Sequence, residues 1–168
     1  MNGFLPEQYD LVRMTRETLF TFLENIPAGA LHADVPGFGS GTIARVHLHA
    51  AGCYMHWLGG FARIRSNPEF PTEEEIRSAD GPVLRHWFSR SDAVVNEFLQ
   101  TYGNRFRELI YNQSEAPMGL TPLWLMTHAM THEFHHKGQI VAMARQLGHA
   151  PPDTDLVVPE HPYGSTAS

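Results

Sequence analysis

Four stretches of the chain set apolar side chains three and four residues apart, and almost nothing in its 168 residues alternates apolar with polar. That spacing lines one face of an α-helix, whereas a half-buried strand needs a period of two. A chain of this kind buries its apolar faces only by packing helix on helix, which implies an all-α four-helix bundle. The first helix reads from about Gln8 to Ile26 along Val12, Leu19, Leu23 and Ile26, and Pro27-Ala28-Gly29 ends it. Beyond a loop rich in turn formers, Ser40 or Thr42 caps a second helix to about Ser66, with the stripe Ile43, Val46, Ala50, Cys53, Trp57, Phe61 and Ile64. Pro68 and Pro71 break the chain, Thr72-Glu73-Glu74-Glu75 forms a capping box on a short turn, and Asp80-Gly81-Pro82 opens a third helix to Tyr102 along Leu84, Trp87, Phe88, Val94, Val95, Phe98 and Leu99. Residues 103 to 120 read as a loop. Thr121-Pro122 then starts a fourth helix that reaches Leu147, where Gly148 stops it.

The connections after the second and third helices are roughly fifteen residues or longer, enough to span a ~30 Å helix, so at least one crossover is compatible with the pattern. We expect one domain over residues 1–168, with a Pro-rich surface tail from about 149. A formal net charge of −6 argues against a nucleic-acid partner, which calls for a clustered basic face. No apolar run approaches the ~20 residues of a membrane span, and the start lacks the features of a secretory leader, so a cytoplasmic protein off the membrane is expected. The single cysteine, Cys53, has no internal disulfide partner and fits a reducing compartment.

Histidine is the composition outlier, with 11 residues against 12 Lys plus Arg. Four of them, His128, His132, His135 and His136, fall in nine residues of the fourth helix. Its apolar stripe should run through 128 or 129, 132, 136 and 139 or 140, placing imidazoles where core residues belong, and burying them unpaired is costly. His132 and His136, four apart, can aim at one point, as two ligands of one ion must. Catalytic sites of this kind usually take three protein ligands, so a third must come from elsewhere. His49 flanks the apolar stripe of the second helix, His47 is a rival by wheel geometry, and spacing does not decide between them; His56 lies further on. Cys53 sits four residues after His49 and is more simply an inert buried thiol than a nucleophile or ligand.

Two blocks of the sequence resemble the DinB/YfiT-like family of metal-dependent enzymes. One is His132-Glu133-Phe134-His135-His136-Lys137-Gly138-Gln139-Ile140 with Arg145-Gln146-Leu147-Gly148, similar to the family's last-helix pattern; the other is Ile43-Ala44-Arg45-Val46-His47-Leu48-His49-Ala50-Ala51 with Trp57 eight residues beyond His49. The resemblance selects His49 over His47 and implies a DinB-like four-helix bundle holding one divalent ion on His49, His132 and His136. It implies zinc or nickel, with iron, cobalt or manganese as alternatives, open coordination positions, and commonly a homodimer. Members often carry an acidic residue after the second-helix ligand; here Gly52, Cys53 and Tyr54 stand there. Characterised members include S-transferases and isomerases that use low-molecular-weight thiols, so a thiol co-substrate and a small electrophilic substrate are expected. A dication on neutral imidazoles keeps its charge and can deprotonate a thiol or lower the pKa of water to about 7.

Glu133 completes a His-Glu-x-x-His string, which in zinc proteases supplies a general base. The further glycine and histidine of metzincins would fall at Gln139 and Ala142, and no sheet is legible, so protease is a minority reading. Glu133 is nevertheless the candidate catalytic base. That gives a second function, a metal-dependent hydrolase of a small amide or ester. A third is a non-catalytic binding or stress-response protein that the metal only stabilises. Gln139, one turn past His136, could orient a ligand ring or a substrate. His128 and His135 are spare donors behind the ligands or plain polar packing. Trp57, Trp87 and Trp124 read as core.

Overall fold

The computed structural model describes residues 3–39, 41–113 and 115–156. Four long helical stretches carry it: α1 (Phe4–Asn25), α3 (Ile43–Tyr54) extended by a π-helical segment (Met55–Phe61), α5 (Gly81–Tyr102) and α6 (Pro122–Gln146); α2 (Ala28–His32) and α4 (Glu73–Ser78) are short. The caps are those the sequence advertises. Thr42, Asp80 and Thr121 each accept a hydrogen bond from a backbone N–H three residues on, and Thr72 with Glu75 forms a reciprocal capping box. Gly148, at φ 85°, supplies the left-handed residue after α6.

α3 packs on both α5 and α6, and α1 packs on the same two, so the ring order is α1–α5–α3–α6. Side-chain contacts set the directions. Ser91 bonds the Ala51 carbonyl and Tyr102 that of Ala62, so α5 runs parallel to α3; Tyr54 meets Glu133 and Trp57 meets Trp124, so α6 runs antiparallel to it. Two of the three links between long helices therefore join diagonal partners, and the link from α3 to α5 returns along the bundle, carrying α4 with it. One apolar core fills the centre, with Leu23, Ile43, Leu48, Leu58, Leu84, Phe98, Leu125 and Met143 fully enclosed.

Several boundaries differ from the sequence reading. α1 begins four residues before Gln8, because Pro6 is tolerated in a first turn where its missing N–H has no intrahelical partner to lose. The second helix ends at Phe61 rather than near Ser66: Gly59 and Gly60, poor helix formers, lie against Pro68, and Arg63 turns left-handed at φ 61°. Its last two turns take π geometry. α2 follows Pro27 where a plain loop was expected. Within 103–120 a two-residue antiparallel pair, Ile110–Tyr111 with Gly119–Leu120, interrupts the loop. Gly41 is at φ 71°, and a Cβ there would collide with the Asp34 carboxylate, so this turn before α3 requires glycine. The Pro-rich segment is irregular and half-exposed as far as Leu156. Ser40, the rival cap, and the rest of the tail lie outside the described residues.

Candidate metal centre

α6 carries two faces of different chemistry. Its buried stripe runs Met126, Ala129, Met130, Glu133, Lys137, Ile140 and Ala144, one position off the stripe expected from sequence. Glu133 and Lys137 occupy the core-facing positions, and the histidines move to the edge, where α6 meets α3. The displacement follows from partners supplied by other helices. Glu133 Oε1 and Oε2 accept from Arg16 Nε and Nη2, both at 2.8 Å, and Oε2 also accepts from the Tyr54 hydroxyl at 2.7 Å. Arg16 Nη1 donates to Asp92 at 2.6 Å, and Tyr9 donates to Asp92 at 2.5 Å. Lys137 donates to Thr15 and lies 4.0 Å from the centroid of the Phe134 ring. Burial works against the Arg16 cation, but Glu133 and the two phenols outweigh it and hold its pKa above the ordinary range. Burial pushes Lys137 down to about 8.

On the edge face, His49 of α3 meets His132 and His136 of α6. One ligating atom from each lies within 4.8 Å of the other two. The His132 and His136 Nε2 atoms are 3.3 Å apart, close to the roughly 3.4 Å between two nitrogens at 2.0–2.1 Å from one tetrahedral ion. Gln139 orients the His136 ring. An amide oxygen only accepts, so the 2.7 Å contact puts the proton on His136 Nδ1, which donates to Gln139 Oε1 and leaves the Nε2 lone pair for a ligand; the Gln139 amide N–H donates in turn to His135 Nε2 at 3.1 Å. Burial, reinforced by the neighbouring imidazoles, lowers His132 to about 4 and lowers His136 as well, so both are in the neutral form that a cation requires. The donor set therefore fits a divalent metal ion.

The triad sits in the wall of a cavity of about 870 Å³, at the upper part of the range for small-molecule sites. Phe38, Trp57, Phe70 and Ile76 supply apolar walls, with Arg45, His56 and Cys53 between them. Burial and the nearby Glu133 push the Cys53 thiol up to about 12, which keeps it protonated and a poor nucleophile.

Of the residues singled out from sequence, His49, His132, His136 and Gln139 come together. His135 touches this group through Gln139. His128 lies outside the triad, stacked on Trp124 at 4.9 Å and edge-on to Trp57 at 5.0 Å. His47, the rival ligand, is enclosed between Phe20 and Phe88 in the core, and burial lowers it to about 3. Glu133 is not among the cavity-lining residues: both its oxygens are held by Arg16 and Tyr54. Only Trp87 of the three tryptophans is core; Trp57 is half-buried in the cavity wall and Trp124 is 43% exposed. The Arg16, Tyr54 and Asp92 network went unread, although a signal existed: the α1 stripe skips from Val12 to Leu19 across Thr15 and Arg16, a polar gap matching that at 133 and 137. Phe38, Phe70 and Ile76 reach the cavity from loops and α4, where helical periodicity carries no information.

Known proteins share this fold. The DinB family model matches residues 1–164. Protein DinB of Bacillus subtilis (strain 168) is 24% identical over 160 residues, covering 92% of each chain. Among solved structures, a DinB-like protein of Bacillus subtilis, YjoA, superposes with a TM-score of 0.62 at 18% identity over 86% of this chain and 97% of its own. TT2238, a four-helix bundle protein, gives 0.59 at 19% identity over 83% and 99%. With a family match over nearly the whole sequence and the same bundle in its structural neighbours, this chain belongs to the DinB family.

Proposed function

We propose that the protein is a divalent-metal-dependent enzyme that joins a small thiol to, or uses it to isomerise, a small electrophilic substrate, with His49, His132 and His136 holding a zinc or nickel ion. The observation that carries this reading is the convergence of three imidazoles from two helices on one point in the wall of a large cavity, rather than in a sealed core. Bound there, the ion supplies Lewis acidity that lowers the proton affinity of a thiol placed beside it. Gln139 holds the His136 ring with Nε2 inward, Trp57 and Phe70 offer apolar surface to the substrate, and Cys53, protonated, stays a bystander. The hydrolase reading relied on Glu133 as base, and that carboxylate is committed to Arg16 and Tyr54 in the core. We further propose that it is a homodimer located in the cytoplasm, and sedimentation velocity tests the assembly; among the described residues no helix is long and apolar enough to cross a membrane.

The test offers zinc- or nickel-loaded protein a panel of small thiols with an epoxide or a haloarene. Metal-dependent loss of thiol and electrophile together, abolished in His49→Ala, is the expected result. Thiol consumption that is unchanged by metal and by His49→Ala, or turnover of an ester with water alone, counts against the assignment. Elemental analysis of protein prepared without a nickel column identifies the ion.

A further inference from the structure

Charge is distributed unevenly in this molecule. The chain carries 18 Asp plus Glu and a net charge of −6, yet among the described residues no carboxylate lines the cavity at the histidine triad. Among the described residues, the one permanently charged group in its wall is a cation, Arg45, whose guanidinium is held by two hydrogen bonds, of 2.9 and 2.7 Å, to Glu73. Glu73 is not part of the wall; its side chain is 58% exposed and faces solvent. The Arg45 charge is offset by Glu73, but three neutral imidazoles cannot cancel the charge of a dication, so a metal-loaded cavity is electropositive at the triad. Low-dielectric walls of Phe38, Trp57, Phe70 and Ile76 strengthen that field.

Resting on the metal reading above, we propose that this cavity selects amphiphilic anions: molecules with one anionic group at the histidine triad and an apolar body of about the size of an aromatic ring against Phe38, Trp57, Phe70 and Ile76. An anionic head gains the uncompensated positive charge. A cationic head meets like charge where water has been displaced, and a neutral polar head loses hydration without equivalent return. The apolar walls reward a body that a bare small anion lacks. The absence of lining carboxylates is what makes this selection one-sided, since a single Asp or Glu would fill the open side of the ion and cancel half its charge.

Isothermal titration of the full-length zinc-loaded protein tests the claim with four probes: 4-phenylbutanoate, 4-phenylbutan-1-ol, 4-phenylbutylamine and butanoate. We expect 4-phenylbutanoate to bind at least about tenfold tighter than the alcohol or butanoate, with no binding of the amine. Phe70→Ala, on a loop and 45% exposed, should weaken 4-phenylbutanoate about fivefold and leave butanoate unchanged, because it trims only the apolar wall. Zinc is titrated first, in the same protein. Stoichiometric zinc binding with equal affinity for acid, alcohol and amine, or with preference for the amine, overturns this proposal and leaves the metal reading standing. Failure of zinc to bind overturns both. An unchanged affinity for 4-phenylbutanoate in Phe70→Ala overturns the placement of the apolar body.

Discussion

Neighbouring residues of α6 lead opposite lives. Glu133 and Lys137 face the core, where Arg16 and Tyr54 engage both Glu133 oxygens and Thr15 accepts from Lys137. His132 and His136, one residue before each, face α3 and keep convergent ring nitrogens whose nearest polar atoms are one another. Both groups are polar and poorly exposed, and composition alone does not separate them. Saturation does. A buried charge whose oxygens are all engaged is part of the scaffold, whereas a set of lone pairs aimed at a shared point and left without donors is arranged for something that arrives later.

The largest effect should come from the saturated face. Glu133→Ala leaves the Arg16 cation enclosed with half its partners gone, and we expect a loss of about 3–5 kcal/mol in urea unfolding of the metal-free protein. A loss under 1 kcal/mol would erase the distinction between the faces. On the other face, His136→Ala should cost more than ~100-fold in zinc affinity, since removing even a group behind a ligand costs 10–100-fold, while metal-free stability changes by less than about 1 kcal/mol. Equal damage to folding and to zinc binding would merge the two classes.

His47 sharpens the comparison through pH. Its folded pKa, lowered to about 3 by burial and by the Arg16 and Lys137 charges, lies below the ordinary value of 6.5, so as pH falls from 6.5 towards 3 the unfolded state takes up a proton that the folded state refuses. Stability should therefore drop with falling pH by up to about 1.4 kcal/mol per unit in that window. Relative to its behaviour at pH 7, His47→Phe should gain about 2 kcal/mol over the parent at pH 5 in metal-free protein. Parallel stability curves for the two would show that the ring is not held neutral. The smallest effect is reserved for Gln139→Leu, which should weaken zinc about tenfold with little change in unfolding; no change in zinc affinity would mean that the His136 ring is fixed by packing alone.

Reading the sequence went furthest where the signal was local. Caps at Thr42, Thr72, Asp80 and Thr121 and the stop at Gly148 depend on residues within a turn of each other, and all are present. The i, i+4 pair of His132 and His136 is local in the same sense. The choice of His49 over His47 was not; both lie on one helix two residues apart, and family resemblance rather than spacing picked the one that faces α6. Core polarity was misread because hydrophobic periodicity assumes that charges point outward, and Glu133 and Lys137 break that assumption only because Arg16 and Thr15 on α1 meet them.

The amino-acid order thus determined by itself the number of long helices, most of their ends and a pair of imidazoles on one helical face, because each depends on backbone hydrogen bonds and side chains a few residues apart. Which face of α6 turns inward, which second-helix histidine joins the pair, and the exclusion of carboxylates from the cavity among the described residues were decided only when four helices packed, since each depends on atoms brought together from positions up to 122 residues apart.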